Sequence, residues 1–258
     1  MNCIVVPVYK EFHLLEVKEI ISLTQLYKIL GRHVVCLIGP GNIGFEDYAG
    51  HAGLNGVTIK TKTFDDVFFS GLKGYNSLLM SLEFYQSFDE FDHILIYQPD
   101  AFVFRDELEY WCKKGYDYIG APWFENFQNA GKESNIIGVG NGGFSLRKVS
   151  SFIKGVKRLH FLRRLGGFSR FLAGEAAYSI LFSSVHMQED IFWTRCMPLI
   201  RSSFSVAPVT DAVKFSFEVH PNVLFEMNNR DLPFGCHAWW RYDLDFWTPF
   251  VESYGHKL

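Results

Sequence analysis

The chain has 258 residues, 48% of them hydrophobic and 21% charged, so it can bury a full-sized core and is not a disordered, collagenous or coiled-coil protein. Lys and Arg number 25 against 28 Asp and Glu, a net charge of −3, which argues against a general nucleic-acid-binding surface. The 26 Phe, 12 Tyr and 6 Trp read mainly as core, with some free to line a sugar or base pocket.

The first half alternates buried strands with amphipathic helices. Cys3 to Val8 is a continuous apolar run of strand length, the pattern of a strand buried on both faces. No basic residue precedes it and no small-residue cleavage site follows, so no signal peptide is expected. A helix is predicted over 11–30, with Gly31 at its C-terminal cap. Strands are predicted over 34–38 and 57–60, a helix over 75–88 and a buried strand over 93–97. This order predicts an α/β fold: a mostly parallel, Rossmann-type central sheet flanked by helices, with a more irregular second half. One domain is expected over 1–258, with a nucleotide-binding half to 115 and an acceptor or catalytic half from 116. Five widely spaced cysteines without a C-x-x-C pair predict neither a disulfide framework nor a zinc knuckle, and no apolar run reaches membrane-spanning length. The chain therefore reads as a reduced, cytoplasmic protein.

Five segments carry candidate chemistry. Gly39-Pro40-Gly41-Asn42-Ile43-Gly44 follows a strand and matches a dinucleotide-binding turn, with Asp65 and Asp66 at the spacing of a ribose-binding acid. Gly50, Gly53 and Gly56 interrupt the segment that should form the supporting helix, which favours a plain loop. Asp100 follows the strand 93–97 across Pro99, where open α/β sheets bind ligands. It can either cap the turn or reach a divalent cation on a substrate diphosphate. The run 135–148 has glycines at 138, 140, 142 and 143, either a flexible turn or a close approach for a ligand. Glu189 and Asp190 enter a helical stretch as solvated first-turn acids or as a cap and a cleft-facing base, and His186 with Glu189 would be a weak metal pair. His237, between Gly235-Cys236 and Trp239-Trp240, is either structural or a ligand.

These segments resemble a family of GT-A glycosyltransferases, catalogued as a domain of unknown function and common near bacterial surface-polysaccharide genes. The resemblance rests on Gly74-Tyr75-Asn76-Ser77-Leu78-Leu79, Phe84-Tyr85, Ile94 to Ala101, Tyr116-Asp117-Tyr118-Ile119-Gly120-Ala121-Pro122-Trp123, Gly140 to Arg147, Glu189-Asp190 and Gly235 to Trp239. It implies sugar transfer from a nucleotide-diphosphate sugar, foremost a UDP-sugar, to a glycan or lipid-linked glycan in surface-glycan synthesis. Gln98-Pro99-Asp100 is similar to an Asp-x-Asp motif whose first acid is an amide, leaving Asp100 as the charged ligand for Mn²⁺ or Mg²⁺, with His237 completing the site. The resemblance places Asp190 as general base of an inverting reaction, with Glu189 beside it. It places Gly142 and Gly143 around the donor sugar, and the donor on Pro7, Val8, Tyr9, Lys62, Tyr75, Asn76, Gln98, Asp100 and Arg147. Arg147, Lys62 or Arg241 could add positive charge. Two other readings are an NAD(P)-dependent oxidoreductase using the 39–44 loop and an inactive sugar-binding module.

The segment Lys154 to Arg170 holds six basic residues and no acid among regularly placed Phe, Leu, Ile and Val. It predicts either a helix lying on an anionic membrane surface or a basic face over a core-packed apolar one.

Overall fold

The computed structural model describes residues 1–130, 133–165 and 188–258. A six-stranded sheet runs in the order β3-β2-β1-β4-β9-β6, with β1 Asn2–Pro7, β2 Val34–Pro40, β3 Ile59–Phe64, β4 His93–Tyr97, β6 Tyr118–Ile119 and β9 Phe144–Lys148. The first four strands named are parallel to one another, whereas β9 runs antiparallel to both β4 and β6. The predicted α/β sheet is thus present, and mixed rather than purely parallel. The β4–β9 register, Tyr97 opposite Phe144, joins the two halves of the chain in one sheet.

Side-chain alternation along β1 explains its unbroken apolar run. Cys3 and Val5 face one core, Ile4 and Val6 the other, and all four are fully buried. The first core is closed by α3 Gly71–Leu78, α4 Leu82–Gln86 and α6 Val149–Arg164; the second by α1 Val17–Leu30, α2 Glu46–Leu54 and α5 Leu108–Lys113. A smaller sheet, β10-β11-β5, combines Ser216–Phe217, Gly235–Cys236 and Phe102–Val103. The hairpin β7 Ala121–Phe124 with β8 Ile136–Gly140 brings two of the quoted sequence blocks together, Ala121 opposite Gly140.

Several local expectations are corrected. The helix predicted over 11–30 starts only at Val17, where Glu16 and Glu19 form a reciprocal capping box, after a short turn at Phe12–Leu14. Gly31 keeps a right-handed φ of −61°; it is glycine because a Cβ would stand 2.3 Å from the Tyr27 carbonyl oxygen. The helix predicted over 75–88 is broken at Ser81, whose hydroxyl caps α4 by accepting from the Phe84 N–H. The segment after Gly44 is a helix despite Gly50 and Gly53, whose missing side chains would meet open space.

On α6, Phe152, Val156, Leu159 and Leu162 are buried in the first core, while Lys154, Lys157, Arg163 and Arg164 are exposed. An apolar face inside the protein is not available to lipid, which corrects the interfacial-helix expectation; residues 166–170 of that segment lie outside the described residues. Among the described residues no helix is long and apolar enough to cross a membrane. None of the five cysteines forms a disulfide with another described residue.

Candidate active site

The sheet topology assembles the site. Gln98 and Asp100 leave the carboxyl end of β4, and Pro99 lies in a turn closed by the Ala101 N–H donating to the Gln98 carbonyl at 2.8 Å. β10 and β11 run parallel, so the residues following them, Glu218 and His237, become neighbours. β5 pairs antiparallel with β11, Phe102 opposite Cys236, which sets Asp100 beside His237. The His237 ring bridges the group, with Nδ1 2.8 Å from Glu218 Oε1 and Nε2 3.0 Å from Gln98 Oε1 and 3.1 Å from Asp100 Oδ1. Burial alone would favour a neutral ring, yet Asp100 and Glu218 raise its pKa to about 10, so it is an imidazolium at neutral pH. Burial pushes the Asp100 carboxyl upward, and His237 overcomes this and holds it below the ordinary carboxylate value.

A second cluster carries the pair of adjacent acids. Glu189 begins α7, Glu189–Ile191, which continues as a helical stretch through Phe192–Cys196 to Met197–Ile200. Arg147 on β9 is fully buried and grips Glu189 with two N–H donors, at 2.8 and 3.0 Å. It also donates to the Tyr85 hydroxyl at 3.0 Å and to Ser145 Oγ at 3.1 Å. Asn76 fixes the same helix start by accepting from the Glu189 N–H at 3.4 Å. Asp190 is thereby held half-buried. Burial, then Glu189 and Glu218, raise its carboxyl to about 7, the range suited to a general base.

The two glycines that open β9 are needed for the closeness of these clusters. A Cβ on Gly143 would stand 2.0 Å from His237 Nε2, and one on Gly142 would stand 2.4 Å from Glu189 Oε1. Neither has a positive φ; Asn141, at φ 74°, takes the left-handed position. On the side a Cβ would occupy, the space beside both glycines is filled by His237 and Glu189.

The remaining predicted residues divide clearly. Pro7 and Val8 end β1 inside the core, and Tyr9 is the first residue to emerge, its ring edge-on to Phe69 and Tyr75 at 5.8 and 5.7 Å. Burial pushes the Tyr75 phenol up to about 12, and its hydroxyl lies beside Gln98 and Tyr9. A cavity of ≈ 380 Å³ opens past the ends of β1 and β2, walled by Tyr9, Pro40, Asn42, Asp66 and Phe69. Lys62 lies over the Phe88 ring at 5.3 Å, against the first core rather than among these groups. Arg147 is a correction as a donor contact, because it is enclosed and its charge is matched by Glu189. His186 lies outside the described residues.

The glycine turn is already occupied. The Gly41 N–H donates to Asp66 Oδ1 at 2.9 Å and the Gly44 N–H to Glu11 Oε1 at 3.2 Å. Carboxylates stand where a pyrophosphate would need free amides, so the dinucleotide reading loses its anion site. Glu218, at the centre of the His237 network, escaped the sequence reading. Its signal was an acid between Phe217 and Val219 in a short strand-like run; it is 5% exposed with Oε2 unpartnered among the described residues.

Solved structures share this architecture. A mutant of LgtC aligns at 13% identity and TM-score 0.53, covering 99% of this chain and 95% of that one. The galactosyltransferase LgtC bound to donor and acceptor sugar analogues aligns at 12% and 0.50, covering 98% and 96%. Mouse xyloside xylosyltransferase 1 aligns at 10% and 0.50, covering 92% and 97%. At these identities the likeness establishes the fold, an α/β fold of the GT-A type. No curated protein matches the chain. The sequence profile of DUF5672, a family described as a protein of unknown function, matches residues 58–237, the stretch holding both side-chain clusters, and the chain belongs to that family.

Proposed function

We propose that this protein transfers a glycosyl group from a nucleotide-diphosphate sugar to an acceptor hydroxyl. The observation that carries the reading is the convergence of Gln98, Asp100 and His237 at the carboxyl end of β4, with the raised carboxylate Asp190 within Coulomb reach of the same Glu218. In open α/β sheets that edge is the ligand-binding edge. In this reading the cavity bordered by Tyr9 takes the nucleoside, and Tyr75, whose hydroxyl lies beside Gln98 and Tyr9, is available as a donor there.

Gln98 Oε1, Asp100 Oδ1 and His237 Nε2 fit a divalent cation such as Mn²⁺ or Mg²⁺, which takes one or two protein acids and completes its shell from substrate phosphates. Among the described residues no group of three His, Cys, Asp or Glu side chains is placed to hold a metal, and in this reading the Gln98 amide would serve as the third donor. Bound there, the cation would offset charge on the departing diphosphate. His237 must release its Nε2 proton to serve, and Glu218 keeps the Nδ1–H in place, fixing the tautomer. Asp190 accepts the acceptor hydroxyl proton as the oxygen attacks the anomeric carbon, a single displacement that inverts configuration. Arg147, Glu189 and Asn76 hold its helix in position. We infer a UDP-sugar donor and a glycan or lipid-linked glycan acceptor in surface-glycan synthesis from the resemblance of the sequence blocks.

The test is calorimetric titration of UDP-, GDP- and dTDP-sugars and NAD(P) with and without Mn²⁺, on wild type and Asp100→Ala. Mn²⁺-dependent binding of one nucleotide sugar, lost in Asp100→Ala, is expected. Binding of NAD(P) alone, or sugar-nucleotide affinity indifferent to Asp100→Ala, overturns the reading. Donor hydrolysis without acceptor separates an enzyme from an inactive sugar-binding module.

A further inference from the structure

A cavity of ≈ 440 Å³ borders the helix that carries Asp190. Gln188 and Ile191, on either side of Glu189-Asp190 in the chain, form one wall; Trp123, Phe127 and Ile137 of the β7–β8 hairpin region form another; Arg195 closes it. The volume suits one or two sugar rings. Its wall is aromatic and aliphatic, the surface on which the C–H face of a sugar ring packs. Trp123 is only 5% exposed and its indole N–H is enclosed, so it contributes apolar wall rather than a donor.

Charge narrows the ligand further. Arg195 is exposed, lies over the Trp123 ring at 5.9 Å and donates one N–H to the Ile137 carbonyl at 3.2 Å. A guanidinium has five N–H donors, and among the described residues one hydrogen bond is formed, so this cavity-lining side chain keeps donors for a ligand. No acid lines the cavity among the described residues. We propose that this cavity is the acceptor subsite and that it takes a glycoside bearing an anionic substituent, a carboxylate or a phosphate, paired with Arg195. The inference rests on the glycosyl-transfer reading for its role, while binding itself needs no donor.

Binding is measured by saturation-transfer NMR and tryptophan fluorescence with three probes: methyl β-D-glucuronide, methyl β-D-glucoside 6-phosphate and the neutral methyl β-D-glucoside. At least one anionic probe is expected to bind roughly tenfold or more tightly than the neutral one, a charge-assisted contact, and which of the two does so identifies the substituent. Arg195→Gln should reduce that preference to within about twofold, and Ile137→Asp, which sets a carboxylate beside Arg195 at an exposed position, should do the same. Equal affinity of all three probes for wild type, no binding of any probe, or a preference that survives Arg195→Gln overturns the proposal. Nucleotide-sugar titration of the same samples keeps the two readings apart. Donor binding without the anionic preference refutes the subsite alone, and the preference without donor binding refutes sugar transfer alone.

Discussion

Arg147→Met tests whether the clamp on the helix that carries Asp190 is as tight as its geometry indicates. Arg147 is fully buried and makes two bonds to Glu189 and one each to Tyr85 and Ser145, while the Glu189 side chain is 4% exposed. Methionine fills much of the volume but leaves Glu189 as an unpaired carboxylate without water. Breaking a buried pair in this way costs about 3–5 kcal/mol. In a domain of this size each kcal/mol shifts Tm by about 2–4 °C, so a fall of roughly 6–20 °C is expected. Differential scanning calorimetry and urea unfolding of wild type, Arg147→Met, Glu189→Leu and the double variant form a complete cycle. The double variant should recover at least half of the Arg147→Met loss, because it buries no lone charge. A loss under about 1 kcal/mol for Arg147→Met, or strictly additive single losses, would refute a desolvated ion pair as the anchor.

Asp190→Asn keeps the shape and removes the base, so transfer should slow at least about 10²-fold with donor affinity unchanged; the wild-type rate should climb with pH and level off above about 7. Proton NMR of the product should show the inverted anomer. His237 has a pKa raised from 6.5 to about 10, so its stabilising contribution is fully present below pH 6.5 and is lost as pH rises through about 10. Urea unfolding of His237→Gln should accordingly show a flatter dependence over that window than wild type, and calorimetry should show weaker Mn²⁺ binding in the presence of UDP. Gly143→Ala should cost about 1–3 kcal/mol and displace the His237 ring, visible as a shifted imidazole resonance. Lys154, Lys157, Arg163 and Arg164 cluster positive charge on the outer face of α6, so wild type should co-sediment with anionic but not neutral liposomes at low salt and be released at high salt. The Lys157/Arg158/Arg163/Arg164→Glu variant should stay in solution under both conditions.

The sheet-forming half was legible because buried parallel strands have a local signature: β1 and β4 are short unbroken apolar runs, and burial on both faces forces that composition whatever the partners. Asp100 was equally legible, since a proline after such a run ends the ladder and puts the next acid outside the sheet. Helix boundaries were less so. Ser81 and the Glu16–Glu19 box cut the predicted helices short through single hydrogen bonds that hydrophobic spacing does not register.

What the sequence alone determined was which residue types stand at strand ends: an amide and an acid after β4, two glycines before β9, adjacent acids at a helix start, a histidine after Gly-Cys. Only the tertiary structure decided how they pair. Glu218 and His237 are 19 residues apart and meet because β10 and β11 run parallel; Arg147 and Glu189 are 42 apart and meet across Gly142. The same contacts reassigned Arg147 from donor contact to buried anchor and set the charge states of His237 and Asp190. Those depend on the fields of side chains brought close by folding and on the water that folding excludes, neither of which a linear pattern contains.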